Sequence, residues 1–410
     1  MRKSSLEDRL KRMARITGSG LGGTPARAQT LPPRYRRLAE AVGGELVSGP
    51  AGTFCRVTRR YPFGHPYGVM QLNRPDDDGG VALASFSAHE VDGETQLNEL
   101  LFFDTETTGL GGTGAVPFLI GCGSLTTTGF EIRQYLLPDY SDEAAMLEEI
   151  LTEFEPGRTA VSYNGAAFDI TLLRARLIIN RVAREVPCAG HIDLLHPTRR
   201  LYRRRLSDCS LTNVEREILR FFRSDDVPGY LVPSIYFDWL EAENTDQLDQ
   251  VLEHNRLDIL TLFFLLTHID EVFRSDGSNL YHSDDIYSLS RVFGRRRRHD
   301  KIVANYERLD NPLPAPLTPE MLLYHAMAFK RSGELNRAVE LWTRLAETES
   351  REAFDALTEL AKYHEHCTRD FGQACHRAVQ AVELCPSEGP LRRAALHRLD
   401  RLRRKLTPES

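Results

Sequence analysis

Two carboxylates stand two positions apart at the end of an apolar run. They are Asp104 and Glu106, in Leu-Leu-Phe-Phe-Asp-Thr-Glu-Thr-Thr-Gly, residues 100–109. In an extended chain side chains alternate, so both carboxylates point to one face. The preceding Leu and Phe residues mark a strand buried on both sides. Acids at the end of such a strand are costly without a cation to pair them. Hard oxygen donors on one face suit Mg²⁺ or Mn²⁺. The competing reading is a turn in which Asp and Thr hydrogen-bond the backbone.

Two later segments bear on the choice. In Ala160–Leu173 a β-type run meets Asn164-Gly165, and Phe168-Asp169 then opens a helical pattern. Asp169 is either a third carboxylate of a site or a helix N-cap. In Glu253–Phe264, His254 and Asp258 are four apart and share one helix face. They are either a surface ion pair or part of a buried site. The run Ile259–Leu266 is almost wholly apolar, which predicts a buried helix, and a buried Asp needs a partner.

In this order DTETTG, NGxxFD and HNxxD resemble the three motifs of the DEDD-type 3′–5′ exonucleases. LTNVEREIL, DDVPGYLVPSIYFDWL, the GHPYG region and the helical tail are similar to the YprB-type predicted exonucleases of that superfamily. The resemblance covers the chain from about residue 32. It implies a ribonuclease H-like fold: a mixed α/β sheet flanked by helices. It implies that Asp104, Glu106, Asp169 and Asp258 hold two divalent cations, Mg²⁺ or Mn²⁺. Such a pair can stabilise both the attacking and the leaving oxygen of a phosphodiester. His254 then becomes a general base, in competition with a structural role. It departs from the superfamily patterns. The tyrosine subclass has Tyr four residues before the last Asp, and the histidine subclass has His five before. Here His stands in the four-before slot, a rotation of about 100° from the other.

Further substrate contacts are expected from Asn164 and Phe168. Asn164 either holds its loop or touches substrate. Phe168 either stacks on a base or ribose or belongs to the core. The basic run Arg199–Arg205, with Arg203 and Arg204 at its centre, is expected to follow a phosphate backbone, against a solvated or acid-paired alternative. A second run, Arg295–Arg298, is left open.

A chain of 410 residues suggests roughly two to three domains. With 41% hydrophobic residues it can bury ordinary cores. A net charge of −6 excludes a basic nucleic-acid coat, so any such surface is local. Seven cysteines at irregular spacing, without CxxC, predict free thiols and no zinc site. The charged first residues lack a signal core, and no stretch approaches the ~20 apolar residues of a membrane helix, so a cytoplasmic protein is expected.

The elements that must position these groups read as follows. Residues 1–31 form a flexible arm, with a short helix over Ser5–Ile16. Residues 32–95 form a small β-rich region, with a helix at Tyr35–Val42 and two strands around Gly-Pro-Ala-Gly. Residues 96–275 form the ribonuclease H-like domain. It has strands at Leu100–Asp104, Val116–Ser124, Phe130–Leu137, Thr159–Tyr163 and His191–Leu195, and helices at Asp142–Phe154 (capped by Ser141), Phe168–Asn180 and Asp246–Phe273. A basic, Pro-rich linker spans 276–316. A helical domain spans 317–406, read either as tetratricopeptide-like, with Ala328, Gly333, Ala338 and Leu341 at packing positions, or as a plain helical bundle.

The expected function is metal-dependent hydrolysis of phosphodiester bonds, 3′ to 5′ on single strands of DNA or RNA. A protein partner is expected for the C-terminal helices. The alternatives are a non-catalytic nucleic-acid-binding module and an endonuclease on the same fold.

Overall fold

The computed structural model describes residues 31–75, 79–89, 91–109, 114–310, 317–385 and 388–406. The N-terminal arm, the Gly-rich end of the first motif at 110–113 and the Pro-rich stretch 311–316 lie outside them.

Seven strands make one mixed sheet: β1 (Glu45–Gly49), β2 (Gly52–Pro62), β3 (Leu100–Thr107), β4 (Pro117–Thr126), β5 (Gly129–Leu136), β6 (Thr159–Ser162) and β7 (Gly190–Asp193). The order is β1-β2-β5-β4-β3-β6-β7. The β4–β5 hairpin is antiparallel to its neighbours, while β6 and β7 run parallel to β3. Apolar side chains fill both faces of β3, as its run of Leu and Phe demands. Alternation sends Leu100 and Phe102 into one core and Leu101 and Phe103 into the other.

The helices are α1 (Pro33–Val42), α2 (Glu143–Glu153), α3 (Asp169–Ile179), α4 (Leu195–Tyr202), α5 (Val232–Ala242) and α6 (Leu248–Arg274). After them come α7 (Ser283–Arg295), α8 (His299–Asp310), α9 (Pro319–Arg331), α10 (Leu335–Ala346), α11 (Glu352–Tyr363), α12 (Phe371–Glu383) and α13 (Pro390–Leu406). The Phe102 face is covered by the long helix α6, from Leu257 onwards, with α4 and α7. The Phe103 face is covered by α1, α2, α3 and α5. Close passage of α6 over the sheet needs Gly121 on β4. A β-carbon there would sit 2.3 Å from Asn255 Oδ1 and 3.1 Å from Ile259.

Several expectations change. The hairpin β1–β2 is part of the main sheet, since β2 pairs with β5 from Cys55↔Leu136 to Pro62↔Gly129. Asp142 fastens it. Its carboxylate accepts the Thr53 N–H at 2.8 Å and the Tyr35 hydroxyl. Ser141 does not cap α2; its own N–H donates to Asp139. The expected linker contains two helices, α7 and α8. Ile286, Leu289, Val292, Phe293 and Ile302 enter the same core as α6. The break between them falls at Arg297, with φ 58°. The tail helices pack consecutively. Ala338, Leu341 and Trp342 meet Phe329 from α9 and Tyr306 from α8. No helix among the described residues is long and apolar enough to cross a membrane.

Candidate functional site

The site lies at the C-terminal end of β3. A register shift between Glu106 and Thr107 marks a bulge there, a feature that re-aims side chains. Asp104 and Glu106 continue the parity of Phe102 and so face α6. Thr105 points the other way and donates its hydroxyl to Asp169, the first residue of α3. The acids thus converge from both faces of the sheet around one strand end.

Asp169 needs a close backbone turn before it. A β-carbon on Gly165 would sit 2.3 Å from Ser162 Oγ and 3.0 Å from Asp169 Oδ2. Asn164 has φ 65°. Its N–H donates to Asp193 Oδ1 at 2.8 Å, and the Ala166 N–H donates to Asp193 Oδ2 at 3.2 Å. Asn164 therefore holds the loop through its backbone, with its side chain exposed. Phe168 is half-buried and immediately precedes Asp169.

Helix α6 brings three groups, His254, Asn255 and Asp258, within two turns. Asn255, fully buried, donates from Nδ2 to Asp104 Oδ2 at 3.0 Å and accepts from Gln134 Nε2 at 3.0 Å. His254 and Asp258 face Glu106. His254 Nε2 lies 4.0 Å from Glu106 Oε1 and 3.7 Å from Asp258 Oδ2. Ligand atoms of Glu106, His254 and Asp258 all lie within 4.8 Å of one another. Asp226 Oδ1 lies 2.7 Å from His254 Nδ1, so this nitrogen donates to the carboxylate, and Nε2 faces Glu106 and Asp258.

Burial and mutual repulsion dominate the electrostatics. Burial raises Asp104 well above the ordinary Asp value, and the charges of Asp258, Glu106 and Asp169 add to it. Burial pushes Glu106 up to about 7, against the pull of His254. Burial pushes Asp169 up to about 6, against the Thr105 hydrogen bond. For His254 burial disfavours the charge, but Asp258, Glu106 and Asp226 outweigh it and raise the pKa.

Three further residues hold this arrangement and were not legible in the motifs: Glu215, Arg223 and Asp226. The side chain of Arg223 is only 3% exposed. It donates to Glu215 Oε2 at 2.6 Å, to Asp226 Oδ2 at 3.1 Å and to Asp258 Oδ1. Glu215, fully buried, also accepts from the Tyr67 hydroxyl at 2.9 Å and from Thr261. The Tyr67 ring is stacked between Phe221 and Phe264. The one sequence signal was Glu215, an acid on the apolar side of Val214, Ile218 and Leu219. Arg223 and Asp226 sit in a Pro/Gly loop, where nothing in the spacing marks them.

The basic run lies elsewhere. Arg204 pairs with Asp284 on α7 and Glu320 on α9, each at 3.2 Å, and lies over the Tyr287 ring. Arg205 pairs with Asp285 at 2.8 Å. Neighbouring Tyr202 bonds His268, ten residues beyond Asp258 on α6, about 15 Å along the helix. Arg203 is exposed on this same turn. The structure therefore does not bring Arg203 and Arg204 to the carboxylates, and Arg204 fastens the C-terminal helices instead.

Residues 101–270 match a family model described as the RNase_H superfamily, and the β3–β4–β5 meander with two parallel strands beside it is the corresponding sheet. The chain is 33% identical over 358 residues to the "Uncharacterized protein YprB" of Bacillus subtilis (strain 168), covering 84% of each chain. It belongs to that family, within the ribonuclease H superfamily. The donor set suits the divalent metals usual for this fold. It is carboxylate oxygen plus one imidazole nitrogen, and Arg223 on Asp258 is the guanidinium paired directly with it.

Proposed function

We propose that the protein is a metal-dependent nuclease of the DEDD type, acting 3′ to 5′ on single strands. The observation that carries the reading is the convergence of four acids and one histidine, from β3, α3 and α6, on one strand end. A binding protein gains nothing from burying like charges that raise one another's pKa.

Asp104, Glu106, Asp169 and Asp258 would hold two divalent cations, Mg²⁺ or Mn²⁺. When bound, these lower the pKa of water and offset charge on both oxygens of an in-line displacement. The protein's own groups do the rest. Asn255 keeps the Asp104 carboxylate turned into the site. Arg223 takes one oxygen of Asp258 and leaves the other directed inward. Asp226 holds the Nδ1 proton of His254, so Nε2 can accept a proton from the attacking water. Asp226 then stabilises the imidazolium that results.

The tail adds a second role. Gly333 turns the chain between α9 and α10 at φ 86°, and Ala328, Ala338 and Leu341 are buried in the adjoining helices. This supports a tetratricopeptide-like unit that docks a protein partner.

The test is incubation with end-labelled single-stranded DNA, duplex DNA and RNA, with Mg²⁺ or Mn²⁺, beside Asp104→Asn. Cleavage by the native protein that Asp104→Asn abolishes supports the reading. Absence of cleavage on every substrate would instead favour a binding module. Internal cuts on a circular strand would favour an endonuclease.

A further inference from the structure

The loop between the π-turn at 215–219 and α5 carries Arg223 and Asp226, which grip Asp258 and His254. It is fixed at both ends. Arg223 is buried among acids, and Val227 and Val232 are buried in the core. Yet this rigid loop also carries bare apolar side chains. Tyr230 is 81% exposed, the most exposed large apolar side chain among the described residues, and Leu231 beside it is exposed too. On the other side of Arg223, Phe222 is 67% exposed. A singly exposed aromatic is ordinary on a protein surface. The place of this one is not.

Gly229 separates Tyr230 from the catalytic groups. A β-carbon built on Gly229 has one neighbour within 4 Å, His254 Nε2 at 3.8 Å. The backbone at 229 therefore stands beside His254 Nε2, and the absent side chain leaves that nitrogen uncovered on this side. Consecutive Cα atoms are about 3.8 Å apart, so the Tyr230 ring starts one residue from that point. A phosphodiester placed between His254, Glu106 and Asp258 would have its own nucleobase within reach of this ring.

We infer that Tyr230 is a base-stacking platform for the terminal nucleotide of a single strand. The inference rests on the nuclease reading of the site. It adds what positions the scissile bond, a role that Arg204 and Arg205, paired with acids of α7 and α9, do not fill. Every base has a π-face, so the platform selects for an unpaired end and against no particular base. A terminal base held in a duplex must first leave its stack, so paired ends should be engaged more weakly.

The experiment is a cycle of binding measurements in Mn²⁺ on the Asp104→Asn protein, which leaves the strand intact. A fluorescently labelled single strand with an ordinary 3′ end is compared with one whose 3′-terminal nucleotide is abasic. The expected result is that loss of the terminal base weakens binding about ten-fold, the scale of one stacked base. In the added presence of Tyr230→Ala the two strands should bind alike. Tyr230→Phe should restore the difference. A Trp at this position, from Tyr230→Trp, should be quenched by the ordinary strand and not by the abasic one. Because Tyr230 is so exposed, none of these substitutions should alter the thermal midpoint. If Tyr230→Ala keeps the full preference for the ordinary end, the inference is overturned while the nuclease reading stands. If neither the native protein nor Asp104→Asn binds either strand, the nuclease reading falls and the inference falls with it.

Discussion

At the scale of single residues, the histidine owes its usefulness to a neighbour. Asp226 fixes which nitrogen of His254 carries the proton, and Arg223 fixes which oxygen of Asp258 is free. Asp226→Asn keeps the size of the group but weakens its hold on the imidazole. Cleavage should fall about 10–100-fold, the usual cost of losing such an orienting carboxylate, with little change in thermal midpoint. Equal rates for the two proteins would remove Asp226 from the site. Arg223→Gln is a harsher change, because it strands the fully buried Glu215 without its cation. Denaturant unfolding should show a loss of about 3–5 kcal/mol. Arg223→Lys should fall between, since an ammonium cannot span three acids as a guanidinium does. The acids were singled out because they border apolar runs, and His254 because it stands four residues before Asp258. Arg223 and Asp226 were not, because the groups of α6 that they hold, Asp258 and His254, lie 35 and 28 positions away on another element.

At the scale of elements, strand β3 and helix α6 form the frame, and their crossing is set by small residues. Gly121→Ala would put a methyl 2.3 Å from Asn255 Oδ1, so α6 must shift or Asn255 must turn. Stability should fall by about 1–3 kcal/mol, the range for overpacking a core. Cleavage should fall further than stability explains, since Asn255 orients Asp104. A variant with native rate would show that this contact is dispensable. The periodicities of β3, the β4–β5 hairpin, α3 and α6 were readable, for their apolar stripes are long. The place of β1–β2 in the main sheet was not. Alternation identifies a strand but not its neighbour, and the pairing with β5 joins residues far apart in the chain. Helices α7 and α8 were hidden by their own surface. The arginines at 295–298 cluster where α7 ends, and the buried Ile286, Leu289, Val292 and Phe293 before them are spaced for a helix rather than run together.

At the scale of the whole molecule, the C-terminal helices are part of the same body as the main sheet. Arg204 and Arg205, just after α4, and their acids tie this segment to α7 and α9, and His325 is buried on α9 beside Tyr324 and against the rings of Tyr287 and Tyr306. The Nδ1–H of His325 donates to Met321 O at 2.8 Å, while Nε2 is buried with no partner. Burial lowers its pKa to about 4, against 6.5 when unfolded. The folded state therefore resists its protonation, and its contribution to stability is intact above pH 6.5 and is lost as pH falls toward 4. At pH 5 that loss is about 2 kcal/mol. His325→Leu should lose correspondingly less stability than the native protein between pH 7 and pH 5. Parallel losses in denaturant unfolding would refute this role.

The central claim is that Asp104, Glu106, Asp169 and Asp258 form a metal centre for phosphodiester hydrolysis. Its most direct test is the Mn²⁺ dependence of nucleotide release from the 3′ end of a 5′-labelled single strand. The native protein should yield a ladder shortening from the 3′ end that rises with Mn²⁺ and stops with chelator, and Asp104→Asn and Asp258→Asn should yield none. A ladder that persists in either variant, or that is indifferent to the metal, would contradict the account.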